Sequence, residues 1–321
     1  MSTQFGFSST TDEVLSGVDL KGKRVLITGV SSGLGVETAR ALAAHGAEVV
    51  GAARNLAKAE RATTGVKAAA ETAGGQISLI ELDLADLANV RKCADRLLQD
   101  GRPFDVVIAN AGVMAAPFGH TKDGFETQFG TNHLGHFALV NRIAPLIRDG
   151  GRLVVLSSAA HHIADVDLDD VSFDKTQYDK WIAYGRSKTA GALLAVEFDR
   201  RHKTRNVRAT AVHPGGIQTE LQRHYPAEEE QALVDSINAA NAAAGLPPFQ
   251  YKSIPQGAAT SVWAAVVASA DEVGGRYCED CHVAEVDDSD GMHGGVRSYA
   301  IDPEHAKALW AKSEELVGER F

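Results

Sequence analysis

The chain has 321 residues, with 32 Lys+Arg against 42 Asp+Glu and a formal net charge of −10. That length allows two domains or one large α/β domain, and it buries roughly three quarters of the unfolded surface. Hydrophobic residues at 44% and aromatics at 6% exclude disordered and fibrous classes, and the acidity argues against a nucleic-acid partner. Three cysteines cannot frame a disulfide scaffold and suit a reducing cytosol. No run reaches the roughly 18 apolar residues of a membrane span. Met1 to Asp12 lacks the basic and apolar regions of a secretory signal. The expectation is a cytoplasmic protein without a membrane anchor.

In chain order, Arg24 to Thr28 is a short β-branched run ended by Gly29, which reads as a buried strand. Leu34 to His45 has helical spacing, with Gly46 as its C-cap. Glu48 to Ala52 is a second strand, and Leu56 to Ala73 a helix with Gly65 as its weak point. Ile77 to Leu82 is a third strand, followed by a helix from Leu87 to Gln99. Asp105 to Ala109 is a fourth strand, and Phe125 to Ile147 a long helix. Arg152 to Leu156 is a fifth strand, Trp181 to His202 a helix, and Val207 to Val212 a sixth strand. Gly257 to Ala268 and Pro303 to Val317 read as late helices. This alternation predicts an α/β, Rossmann-type doubly wound parallel sheet with helices on both faces. Residues 161–180 and 222–253 lack clear periodicity. The pattern resumes after each, so both read as insertions in one domain covering 1–321.

Thr28-Gly29-Val30-Ser31-Ser32-Gly33-Leu34-Gly35 joins the first strand to the first helix. Glycines there let the backbone turn tightly and approach a pyrophosphate, and the helix N-terminus points N–H groups at the anion. Strand, glycine-rich turn and helix in this order predict a dinucleotide site.

The spacing is TGxxxGxG, and with it the chain resembles the short-chain dehydrogenase/reductase family from about Lys21 to Val317. Further matches are Asp83 and Leu84 after the third strand and Asn110-Ala111-Gly112 after the fourth. Asn132 lies in Asn132-His133-Leu134-Gly135-His136-Phe137, Ser157-Ser158 ends the fifth strand, and Tyr184-Gly185-Arg186-Ser187-Lys188 gives YxxxK. Pro214-Gly215-Gly216-Ile217-Gln218-Thr219 follows the sixth strand. The NHLGHF segment, Ser-Ser-Ala-Ala-His-His, the long gap from Ser158 to Tyr184, and Gly275 to Cys281 resemble the retinol-dehydrogenase and WW-domain-oxidoreductase branch.

Tyr184 and Lys188 are four residues apart and share one helix face. A Tyr near pKa 10 is a poor acid or base at neutral pH, and a nearby ammonium is expected to lower that value. The pair suits proton transfer at an alcohol oxygen. The resemblance implies that Ser158 bonds the substrate oxygen, with Ser157 a turn residue, and that Asn132 holds a water near Lys188. It implies that Gly29, Ser31, Ser32, Gly33, Leu34, Gly35, Asp83, Leu84, Asn110, Ala111, Gly112, Tyr184, Lys188, Pro214, Gly215, Ile217 and Thr219 bind the cofactor. The implied activity is hydride exchange between nicotinamide and a hydrophobic or aromatic alcohol, ketone or aldehyde, in a homodimer or homotetramer.

Ala53-Arg54-Asn55 follows the second strand, and no acid lies between Gly51 and Ala59. Arg54 can pair with a 2′-phosphate, so NADP(H) is favoured over NAD(H), although Ser32 stands where many NADP-dependent members carry a second basic residue. Met114, Phe118, Tyr225 and Phe249 are expected pocket residues. Cys278 and Cys281 form a CxxC without a second pair, and His282 and His293 are the histidines near enough to complete a zinc set. A late strand is the expected role, and no metal is predicted there or at His133, His136, His161 and His162. The acidic run Asp165 to Asp170 reads as a solvated loop, and Glu228 to Glu230 as the start of an exposed helix. Two rival readings are a nucleotide-sensing regulator that has lost catalysis and a sugar-nucleotide epimerase or dehydratase. Those epimerases usually carry TGxxGxxG.

Overall fold

A computed structural model describes residues 5–243, 245, 247–291 and 294–321. The signal-sequence reading at Met1 to Gln4 and the zinc option at His293 lie outside these residues. Eight strands form one sheet in the order β3-β2-β1-β4-β5-β6-β7-β8. They are β1 Arg24–Thr28, β2 Glu48–Ala53, β3 Gln76–Glu81, β4 Phe104–Ala109, β5 Ile147–Leu156, β6 Arg208–His213, β7 Tyr277–Glu279 and β8 His282–Val283. All pairs from β3 across to β7 are parallel, and β8 closes the edge antiparallel to β7. Order reverses between β1 and β4, where the chain leaves in opposite directions and opens a crevice.

Successive strand residues point to opposite faces, so a doubly covered sheet needs apolar residues at every position. Val25, Ile27, Val106, Ile108 and Val154 enter one buried cluster, while Leu26, Val107, Ala109 and Val155 enter another. Helices α1 Gly33–Ala44, α2 Leu56–Ala62, α3 Thr64–Ala73, α4 Leu87–Asp100, α5 Gly135–Arg142 and α6 Lys180–His202 follow in the chain. After β6 come α7 Ala227–Ala243, α8 Ile254–Val262 and α9 Pro303–Val317. No described helix is long and apolar enough to cross a membrane.

Three helical expectations are corrected. The stretch from Leu56 to Ala73 breaks at Thr63, not at Gly65, which lies inside α3. Thr63 is buried and its Oγ1 donates to Ala59 O at 2.8 Å, a local bond that competes with helix continuation. The stretch from Phe125 to Ile147 is not one helix. The buried Glu126 carboxylate caps it by accepting from Gln128 N at 2.9 Å and Phe129 N at 2.7 Å. A π-turn over Gly130–Leu134 then widens the coil before α5, and Ile147 already belongs to β5. The last, Gly257 to Ala268, ends as a helix at Val262 and continues as a π-turn over Trp263–Val267.

The insertions are also more ordered than their sequences suggest. Residues 222–253 contain α7, whose acidic first turn, Glu228 to Glu230, is the exposed helix start that the sequence predicts; none of its residues is buried, so no apolar stripe announces how far it runs. Asp170, expected to be solvated, is buried and its carboxylate accepts from Lys175 N at 3.0 Å, Thr176 N at 3.0 Å and Thr176 Oγ1 at 2.7 Å.

The C-terminal helix α9 seals one face. Trp310 meets Phe137 edge-on with centroids 5.0 Å apart, and the Arg201 guanidinium lies 4.2 Å above its ring. Trp310→Ala is therefore expected to cost about 3–5 kcal/mol, read as a lowered urea midpoint with an unchanged denaturant slope. A loss below 1 kcal/mol would mean that α9 packs only loosely.

Candidate active site

Loops leaving the C-terminal ends of β1, β2, β3, β4, β5 and β6 line one cleft of about 950 Å³. Every catalytic or cofactor-binding residue nominated from sequence lies on its wall except Asn132, which sits just behind.

At the floor, Gly29 has φ +82, and a Cβ there would come within 2.9 Å of Ala111 Cα. A Cβ on Gly35 would fall 2.2 Å from Gly29 O. The two glycines let β1 turn sharply and lay its loop against α1. Ser32, the N-cap of α1, makes no side-chain capping bond, so the first N–H groups of the helix face the cleft without a protein cap. Asn110 Nδ2 donates to Thr28 O at 2.7 Å and pins the end of β4 to that of β1. Asp83 Oδ1 accepts from Ala85 N at 3.0 Å and shapes the turn after β3.

Along the wall, Asp179 caps α6 by accepting from Trp181 N at 2.8 Å and Ile182 N at 2.9 Å. Tyr184 and Lys188 follow on the same face, both buried. Lys188 Nζ donates to Leu156 O at 2.9 Å and lies 5.6 Å from the Tyr184 ring centroid. Burial pushes the Lys188 amine down to about 8. Burial pushes the Tyr184 phenol up to about 12, with Ser158 beside it pulling the other way. The sequence expectation of a lowered Tyr184 is thus reversed, because desolvation exceeds the pull of an ammonium that is aimed at a carbonyl.

Ser157 and Ser158 diverge. Ser157 is buried and donates to Lys188 O at 2.8 Å, while Ser158 Oγ stays in the cleft and accepts from Ala160 N at 3.2 Å. The Asn132 side chain braces the loop after β4 and reaches α6. Its Oδ1 accepts from Val113 N at 2.8 Å, and its Nδ2 donates to Val113 O at 2.9 Å and to Ser187 Oγ at 2.9 Å. Both Nδ2 protons are used, so what Asn132 can still offer are acceptors, its backbone carbonyl and one lone pair of Oδ1.

Met114, Tyr225 and Phe249 line the cleft, as expected. Phe118 does not; it is half exposed and packs on His120 and Tyr178. His133, His136, His161 and His162 lie off the wall, and His213, which sequence reading passed over, lines it. Burial, with Lys252 and other cations nearby, holds His213 neutral at about 3. Its place as the last residue of β6, just before Pro214, was the available signal. Lys58 was also missed. It lines the cleft four residues beyond Arg54 and pairs with Glu220 across the mouth. Arg54 is exposed on the same wall and forms no ion pair among the described residues.

The CxxC forms the β7–β8 hairpin. Asp280 and Cys281 make its two-residue turn with φ of 47 and 58, the mirror-image turn type that tight hairpins favour. Burial pushes the thiols of Cys278 and Cys281 up to about 12 and 11, which makes them poor nucleophiles.

Gly35→Ala is expected to force the nucleotide loop off its helix and to cost about 1–3 kcal/mol, measured by urea unfolding. Wild-type stability would mean the loop yields freely.

The short chain dehydrogenase family model matches residues 23–230. A probable oxidoreductase of Streptomyces lividans is 43% identical over 298 residues, covering 91% of this chain and 97% of that one. Retinol dehydrogenase 12 of Mus musculus is 36% identical over 303 residues, covering 94% and 88%. A crystal structure of a Mycobacterium Paratuberculosis protein superposes with a TM-score of 0.71 at 34% identity, covering 94% and 96%. With this match over most of its length, the chain belongs to the short-chain dehydrogenase/reductase family of oxidoreductases, in its retinol-dehydrogenase-like branch.

Proposed function

We propose that this oxidoreductase is an NADP(H)-preferring enzyme that interconverts a hydrophobic or aromatic alcohol with its ketone or aldehyde. The observation that carries the reading is the convergence of Ser158, Tyr184, Lys188 and the β1 glycine loop on one cleft. The residues fit a dinucleotide: Gly29 and Gly35 leave a cradle that any Cβ would fill, and uncapped N–H groups of α1 face it. A bound nicotinamide supplies or accepts the hydride.

The chain's own groups handle orientation and the proton. Ser158 holds the substrate oxygen by a hydrogen bond, beside Tyr184. In reduction Tyr184 gives that oxygen its proton, and in oxidation it takes the hydroxyl proton. With a value near 12, the resting phenol is protonated at neutral pH, which is the form that reduction uses. Lys188 Nζ and the Asn132 carbonyl flank a water that returns the proton. Ile217 and Thr219 face the same space from the β6 loop and hold the carboxamide end of the ring.

Two features support the finer reading. Arg54, free of an internal acid partner, stands with Lys58 at the end of β2 where a 2′-phosphate would sit. The cleft also carries an apolar lining, with Val113, Met114, Ile163, Trp181, Leu233 and Phe249 on its wall. The name of the mouse relative, a retinol dehydrogenase, agrees with an apolar alcohol. Both buried clusters share the one sheet, which supports a single domain with two insertions.

Three measurements test this. Tyr184→Phe is expected to abolish turnover of an aryl ketone while NADPH affinity, read by fluorescence, stays nearly unchanged; equal activity would refute the mechanism. Arg54→Ala is expected to lower kcat/KM with NADPH at least about tenfold and to leave the NADH value within a factor of two. A wild-type preference for NADH would remove the Arg54 argument. Reductive kcat/KM, which reports the free enzyme, is expected to be level from pH 6 and to fall as pH rises through about 8. There Lys188 loses its proton while Tyr184 keeps its own. A profile level to pH 9.5 would show that Lys188 charge is not used.

A further inference from the structure

His136 belongs neither to the cleft wall nor to the Tyr184–Lys188 pair, yet it touches both ends of the site. Its ring is buried between the end of β1 and the π-turn that carries Asn132. Hydrogen-bond accounting fixes its protonation. Thr28 Oγ1 lies 2.9 Å from Asn110 N and 2.9 Å from Ala111 N, and both amides can only donate. A hydroxyl oxygen has two lone pairs and one proton. The amides use the lone pairs, so the Thr28 proton is left for His136 Nε2, 2.9 Å away. Nε2 is then an acceptor, and a neutral ring must carry its proton on Nδ1. Nδ1 lies 2.9 Å from Asn132 O and donates to it. Burial holds the imidazole down at about 4, so the ring is neutral at pH 7.

The acceptor at the far end matters. The Asn132 Nδ2 protons are spent on Val113 and Ser187 and its Oδ1 accepts from Val113 N, so the backbone carbonyl is the acceptor of that residue that His136 can orient. That carbonyl lies in a π-turn, where Gly135 N bonds back to Gly130 O and regular α-helical bonding is broken. His136 Nδ1–H gives the Asn132 carbonyl a side-chain donor that fixes its direction there.

We propose that His136, as a neutral Nδ1–H imidazole, is a positioning residue: it fixes the Asn132 carbonyl for proton transfer and ties it to the β1 end beneath the nucleotide loop. This rests on the hydride-transfer reading above. Asn110 and Ala111 sit on the cleft wall, so cofactor contact and proton path share one unbroken chain of bonds through Thr28 and His136.

Two substitutions separate the halves of the ring. His136→Gln places its amide at the ε position, in reach of Thr28, with no donor at the δ position. His136→Asn places an amide N–H at the δ position, facing Asn132 O, and gives up Thr28. His136→Gln is expected to lower kcat about tenfold or more, with the KM for NADPH and for ketone within twofold of wild type. His136→Asn is expected to recover kcat to within about threefold. Equal kcat in all three proteins, or equal losses in both variants that track their thermal unfolding, would reduce His136 to packing. A second measurement does not depend on turnover. Side-chain ¹⁵N NMR of the wild-type protein at pH 7 is expected to show His136 as the neutral Nδ1–H tautomer. The Nε2–H tautomer or an imidazolium would overturn the proposal, even if no ketone were ever turned over. An inactive wild type showing the expected tautomer would count against the hydride-transfer reading alone.

Discussion

The hydroxyl of Thr28 gathers the amides of Asn110 and Ala111 where the strand order reverses. At that point the loops after β1 and β4 must part, and a parted pair of strand ends exposes backbone donors. One buried hydroxyl satisfies two of them and keeps the crevice from closing or fraying. Its position sets the approach of Ala111 to Gly29, and through Asn110 the close packing of the glycine loop. The cleft keeps its shape because its floor is bonded from below, while its walls are supplied by loops of quite different length.

Electrostatics follows from that geometry. A chain of net charge −10 must gather positive potential locally if it is to hold a phosphate-bearing molecule. It does so at the end of β2 with Arg54 and Lys58, and at the uncapped start of α1. Deeper in, the opposite strategy rules. Tyr184, Lys188, His136 and His213 are all stripped of water, and each moves toward its neutral form. The mouth is charged and the interior is poised near neutrality, which suits a site that binds anions at one end and moves single protons at the other.

The strands were legible because a doubly covered parallel sheet leaves continuous β-branched runs, and the glycine loop because its spacing and flanking elements occur together. Tyr184 and Lys188 were legible as a pair four residues apart, Ser158 only through the family resemblance, and the fold brings all three to one cleft. What escaped had two causes. Thr63 breaks a helix by a local bond to Ala59, which Thr makes in some helices and not in others, and the π-turn around Asn132 depends on packing against α6 and α9. Helix α7 was legible only at its acidic start, Glu228 to Glu230, and its length was not, because it shows no buried stripe. The direction of the Tyr184 shift also depended on three dimensions. Sequence places an ammonium nearby, but only the fold aims it at Leu156 O.

The π-turn leans on the end of the chain. His133, next to Asn132, reaches Ser313 at 2.7 Å across 180 residues, and Phe137 stacks edge-on against both Trp310 and Phe321. A segment beside the cleft is thus braced by residues made 180 positions later. At roughly 5–20 residues per second, synthesis reaches Ser313 roughly ten to forty seconds after the π-turn has appeared. During that interval the sheet from β1 to β6 can assemble, but the turn behind the cleft has no brace. The π-turn is therefore braced only once α9 has been made, and a chain cut short before α9 would present a nucleotide cradle without that brace behind it.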